Sequence, residues 1–255
     1  MDQIELKAFL DLKVLEYNAF SFIEQDPISI PHKYSNREDI EISAFFTATI
    51  SWGQRKSIIH NALCLMELME NEPHYFIMNS DERDWERFIP FVHRTFNGLD
   101  TIYFLKALQN IYKNHGGIGQ CLEQLYKSSG DLPTALMELR KIFFSVGDPG
   151  RTSKHFSDIA RNSAAKRLNM FLRWMIRKDE SRVDFGLWEG IPASVLFIPL
   201  DIHSGRVARK LGLLDRKQND WKAVVELTEN LRRFDPEDPV KYDYALFGLG
   251  VFEKF

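Results

Sequence analysis

Apolar residues in this chain recur at three- and four-residue spacing, and no alternating pattern bounded by turn signals ever takes over. Leu6, Phe9, Leu10, Val14 and Leu15 set the pattern within residues 4–20. Ile42, Phe45, Phe46 and Ala48 continue it, and Ile58, Ile59, Leu63 and Met66 resume it after Ser51-Trp52-Gly53-Gln54-Arg55-Lys56. Leu168, Phe171, Leu172 and Met175 repeat it, as do residues 221–231 and Val240, Tyr244, Leu246 and Phe247. That period gathers apolar side chains on one helical face, so the expected class is all-α. Asp39, Asp100, Ser163 and Asp201 stand where helices begin and read as N-caps. Pro133 suits the first turn of a helix over about 132–144, because its missing N–H is unpaired there anyway. Gly116-Gly117-Ile118-Gly119 has no preceding strand and no Lys-Ser/Thr ending, so it reads as a helix–helix turn rather than a phosphate loop. His93-Arg94-Thr95-Phe96-Asn97-Gly98 reads as a polar connector, and 178–198 as loop with one short helix.

A chain of 255 residues can bury a sizeable core. One all-α domain over 1–255 is expected, with a two-lobe seam near 147–162, where Gly147 to His155 forms a long irregular stretch. A formal net charge of −3 gives no global nucleic-acid signature, so a phosphate-binding face would have to be local. Two cysteines cannot build a disulfide framework or ligate an iron–sulfur cluster alone. No basic n-region with an apolar h-region follows Met1, and no apolar run reaches membrane-spanning length. A cytoplasmic monomer without membrane contact is the expectation.

The chemistry-bearing types concentrate in three places. Pro199 to Gly212 offers the carboxylate of Asp201, the imidazole of His203 and the cations Arg206, Arg209 and Lys210 on one short helix. On its own Asp201 reads as a helix cap. Arg151, Lys154, His155, Lys166 and Arg167 follow closely on one another after a glycine-bearing loop, an arrangement able to neutralise phosphates or simply to face water. Lys166 falls in the first turn of a helix, where the positive end of the macrodipole disfavours a further positive charge. Trp52 and Gln54 sit where the second helical pattern breaks; they suit stacking on and hydrogen bonding to a base, or a core tryptophan beside a helix-ending glycine.

Leu200-Asp201-Ile202-His203 followed by Arg206-Val207-Ala208-Arg209-Lys210-Leu211-Gly212 resembles a signature of the helix–hairpin–helix DNA glycosylases. The whole chain also resembles an uncharacterised bacterial family, a domain of unknown function of nearly the same length. Ala164-Ala165-Lys166-Arg167-Leu168-Asn169-Met170 and Asp238-Pro239-Val240-Lys241-Tyr242-Asp243 carry that likeness. The glycosylase resemblance implies two helical groups around a cleft, with Lys166 as a Schiff-base nucleophile and Asp201 as its catalytic partner. The nearest likeness is to the divergent archaeal 8-oxoguanine glycosylases, which implies base-excision repair with AP-lyase activity on an oxidised purine in duplex DNA. It implies Trp52 and Gln54 in the base pocket, and Arg151, Lys154, His155, Arg167, His203, Arg206 and Arg209 at the DNA backbone. No metal or other cofactor is implied. The chain has no Leu-Pro-Gly-Val-Gly hairpin, and its link from Phe144 to Ser163 exceeds a standard hairpin. The alternatives are a non-catalytic nucleic-acid-binding module of the same fold and an unrelated all-α interaction protein.

Overall fold

The computed structural model describes residues 2–255 and is built almost wholly of helix. Its contacts fall into two compact units, one formed by residues up to Glu24 with Asp158–Phe255, the other by Gln25–Ser157.

The first unit opens on α1 (Gln3–Tyr17), started by an Asp2–Glu5 capping box. Leu6, Leu10 and Val14 bury its inner face. They share one core cluster with Val207 and Ala208 of α10 (Ile202–Lys210), Val224 and Leu227 of α11 (Trp221–Arg232), and Tyr242, Leu246 and Leu249 of α12 (Tyr242–Val251). α9 (Lys166–Ile176) buries Phe171, Leu172, Trp174 and Met175. Residues 177–201 have only one short 3-10 turn, Ala193–Val195, and buried ions pin part of this stretch. Asp184 is fully buried and takes Arg173 Nε at 3.3 Å and Arg177 Nη1 at 3.1 Å. Arg177 also reaches Asp179 at 2.6 Å and Asp238 at 2.8 Å, and Arg173 pairs with Asp243.

The second unit contains α2 (Arg37–Thr49), α3 (Arg55–Leu68), α4 (Pro73–Asn79), α5 (Glu82–Trp85), α6 (Gly98–His115), α7 (Ile118–Ser129) and α8 (Leu132–Phe143). Phe45, Phe104, Phe143 and Phe156 pack ring on ring at its centre, with centroids 4.8–6.0 Å apart. A two-residue hairpin, β1 (Val92–His93) with β2 (Phe96–Asn97), occupies the expected polar connector. The stretch expected to be irregular after Gly147 contains a 3-10 segment, Gly150–His155.

Three caps differ from the sequence expectation. Asn36, not Asp39, is the residue before α2; the Asp39 carboxylate instead accepts the His74 N–H at 2.8 Å. Asn97 caps α6, and Asp100 is the third helical residue, closing a capping box. α9 begins after Ala165, which adopts the left-handed conformation, so Ser163 is two residues too early; its Oγ accepts the Ala165 N–H at 3.3 Å.

Candidate functional site

Lys166 and Asp201, 35 positions apart in sequence, meet within the first unit. Lys166 Nζ lies 3.2 Å from Asp201 Oδ2. Each is the product of a helix start. Asn162 is left-handed, and its side-chain amide donates to Asp220 at 3.0 Å while its carbonyl accepts the Trp221 N–H at 3.2 Å. This fastens the approach to α9 onto the start of α11. Ala165 then turns the chain so that Lys166 is the first residue of α9. Asp201 precedes α10 and closes a capping box with Ser204.

The two carboxylate oxygens of Asp201 have separate partners. Oδ1 accepts the N–H of His203 at 2.8 Å, the N–H of Ser204 at 2.9 Å and the Ser204 hydroxyl at 3.2 Å. Oδ2 faces Lys166. Burial alone would raise the pKa of this carboxyl. The charge of Lys166, the bonds from Ser204 and Lys166, and the nearby His203 outweigh it and hold the group below the ordinary aspartate range. The Asp201 carbonyl accepts the Asn219 side-chain amide at 2.9 Å, and Asn219 in turn accepts from Arg209 at 2.7 Å. Gly205 leaves room for this arrangement: a Cβ there would come within 2.9 Å of both Arg209 and Asn219.

Farther along α9, Asn169 and Arg173 stand one and two turns beyond Lys166, on the same helical face. Asn169 is buried and donates to the Ala164 carbonyl at 3.3 Å. Arg173 holds Asp243, whose carboxyl is pushed up to about 6 by burial, against the pull of Arg173 and Lys166 and with the push of Asp201 and Asp184. Sequence spacing could not have revealed Asp184 or Asp243 as part of this charged group, because their partners lie 11 and 70 positions away.

Trp52 and Gln54 lie in the second unit, in the turn between α2 and α3. Trp52 is half-buried, stacked on His155 at 6.0 Å and meeting the edge of His93 at 5.1 Å. His93 Nδ1 faces the Asn61 amide at 2.8 Å and Nε2 faces the Trp52 carbonyl at 3.1 Å, which fits the Nε2–H tautomer. Gln54 is exposed just before α3 and makes no side-chain cap bond.

The proposed backbone-contact residues are distributed unevenly. Arg151, Lys154 and His155 are in the second unit, and Arg167, His203, Arg206 and Arg209 in the first. His155 is 5% exposed and lies 3.3 Å from the buried Asp100 carboxylate, so it has almost no surface to offer a phosphate. Asp100 also accepts Arg151 Nη1 and the Thr152 hydroxyl, each at 2.8 Å, and Arg151 Nη2 donates to the Thr95 carbonyl at 2.6 Å. Arg167 is half-buried, and burial pushes its guanidinium down to about 10. Arg209 donates to the Arg216 carbonyl at 2.8 Å and to Asn219, and Arg206 to the Gly250 carbonyl at 3.1 Å. Lys154 and His203 are exposed. Among the described residues no three His, Cys, Asp or Glu side chains converge as a metal site would need. No helix is long and apolar enough to cross a membrane among the residues described.

No curated protein and no solved structure matches the chain. Residues 26–252 match the family described as Protein of unknown function (DUF2400), a span that includes Trp52, Lys166, Asp201 and Asp243, and the chain belongs to that family.

Proposed function

We propose that the protein is a DNA glycosylase of the helix–hairpin–helix type with AP-lyase activity, acting on an oxidised purine such as 8-oxoguanine in duplex DNA. The observation that carries this reading is the contact between Lys166 Nζ and Asp201 Oδ2 at 3.2 Å. An amine beside a carboxylate, both at helix starts, is the arrangement nucleophilic displacement at a sugar carbon needs. Asp201 Oδ2 accepts a proton from the ammonium, leaving a lone pair on Nζ. That pair forms the bond to C1′ as the C1′–N9 bond breaks and its electrons leave with the base, which takes up a proton. Opening of the sugar gives an imine with Lys166, and loss of a C2′ proton expels the 3′ phosphate. Because Oδ1 holds the α10 amides and Oδ2 faces the amine, one residue supports the helix and the chemistry together.

Borohydride reduces an imine to a stable amine, so it should trap the wild-type protein on duplex DNA carrying 8-oxoguanine. Lys166→Gln should abolish the adduct while leaving DNA binding largely intact, because an amide cannot form the imine. Asp201→Asn should slow base release by two or more orders of magnitude, within the roughly 10²–10⁴-fold that a positioned acid–base group contributes. A folded Asp201→Asn protein as active as the wild type would sink the mechanism. Salt-dependent DNA binding without any adduct, across a panel of damaged bases, would identify a non-catalytic binding module instead.

A further inference from the structure

The hairpin in the Gln25–Ser157 unit has a turn that local chemistry does not favour. Arg94 has φ 55, in the left-handed region, at a turn position where glycine or asparagine is usual. Its guanidinium lies against Gly53, itself at φ 108; a Cβ there would stand 2.6 Å from Arg94 Nη1. Two unusual backbone positions, 41 residues apart in sequence, therefore meet to lay one arginine across the turn that carries Trp52 and Gln54. Strain of this kind persists where the surrounding structure enforces it, and it gathers at binding sites.

The charge on Arg94 is answered differently from that on three other arginines of this unit. Arg37 pairs with Glu41, Arg87 with Glu70, and Arg151 with Asp100. The exposed Arg94 guanidinium makes no hydrogen bond or ion pair with any described residue, and the same holds for the exposed Gln54 amide. Trp52, beside the Gly53 on which Arg94 lies, is half-buried and held by a stacked His155 and an edge-to-face contact with His93. A fixed indole, an open amide and an open guanidinium gathered at one turn match the three parts of a nucleotide: a base to stack, a base edge to hydrogen-bond, and a phosphate. An acidic peptide would leave the indole and amide without a role.

We infer that Arg94, Trp52 and Gln54 form one nucleotide-binding platform, with an unpaired base stacked on the indole and its phosphate on the Arg94 guanidinium. The inference rests on the nucleic-acid part of the function proposed above and not on the chemistry at Lys166. Anisotropy with the full chain, titrated across salt, tests it with two probes: a single-stranded oligothymidine and a duplex carrying one bulged thymidine. Arg94→Gln should reduce the slope of log K against log salt by roughly 0.7–0.9, the share of one phosphate contact, and Arg94→Lys should keep it. Trp52→Leu should weaken binding roughly tenfold or more, with the slope retained. Arg94→Gly removes the backbone strain, so it should unfold at a higher temperature and yet lose the same part of the slope. A merely structural Arg94 predicts the wild-type slope in the Gly and Gln variants, and that result overturns the platform. Wild-type protein that binds neither probe at low salt overturns it as well. If borohydride still traps an adduct at Lys166 while Arg94→Gln binds like the wild type, only the platform fails.

Discussion

Asp201 caps a helix with one carboxylate oxygen and faces Lys166 with the other. Asparagine caps a helix about as well as aspartate, whereas alanine costs about 1 kcal/mol. Asp201→Ala should therefore lower stability in urea by about that amount, and Asp201→Asn by much less. The ionised carboxylate adds a pH-dependent contribution. Its pKa is depressed in the folded chain, so this stabilisation is present above the ordinary aspartate value of about 4 and is lost as pH falls through the lower folded value. The stability gap between wild type and Asp201→Asn should stay constant from neutral pH to about 5 and shrink below about 4; a gap that widens on acidification would refute the assignment. The nearby Asp243 has the opposite sign. Its raised value means that stability present below the ordinary aspartate range is lost as pH rises through about 6. That Asp201 and Lys166 meet was legible through the glycosylase resemblance of the motifs around them. Asp243 and Asp184 were not, because an ion pair between distant elements leaves no periodic trace. Spacing shows where Arg151 and Arg209 are, but not that Asp100 and Asn219 already occupy them.

Among the elements, α8 was readable to within a residue, whereas the starts of α2 and α6 were read three residues late, at Asp39 and Asp100 in place of Asn36 and Asn97. α8 begins at Leu132, after the Asp131 cap and with Pro133 in its first turn, and α6 ends on the left-handed Gly116. Two-residue strands are too short to display an alternation, and with Arg94 in place of a turn glycine the hairpin had no sequence signal. The irregular stretch 177–201 is a different case, held partly by charges where backbone ladders are absent. Asp184 is the common partner of Arg173 and Arg177 and has no exposed side-chain surface. Asp184→Ala should destabilise the protein by about 3–5 kcal/mol, because it leaves two buried guanidinium groups underpaired. A loss below about 1 kcal/mol in a urea titration would show that the stretch is anchored by its apolar residues instead. At α6, Asp100→Asn should remove the charge that gathers Arg151, Thr152 and His155 while keeping much of the capping box.

At the scale of the molecule, the first helix belongs with the last. Tyr242 in α12 donates to Asp11 in α1 at 2.9 Å across 231 positions, and Tyr17 donates to Glu253 at 2.6 Å across 236. Neither pairing was legible from the sequence, since an amphipathic helix states which face it buries but not against what. Burial of Leu6, Leu10 and Val14 contributes about 1.5–3 kcal/mol apiece. A chain starting at Gln25 should therefore lose most of the cooperative unfolding of its Asp158–Phe255 part, while Gln25–Ser157 keeps its helical circular dichroism. Equal cooperativity in the truncated and full chains would contradict this. The same connection sets an order on synthesis. The ribosome at about 5–20 residues per second delivers all of Gln25–Ser157 before the partners of α1 exist. For roughly ten seconds to most of a minute, then, Leu6, Leu10 and Val14 wait in water on an unpartnered helix. α1 is made before every helix it packs against and is among the last elements to be folded, and during that interval it is the natural target for a chaperone.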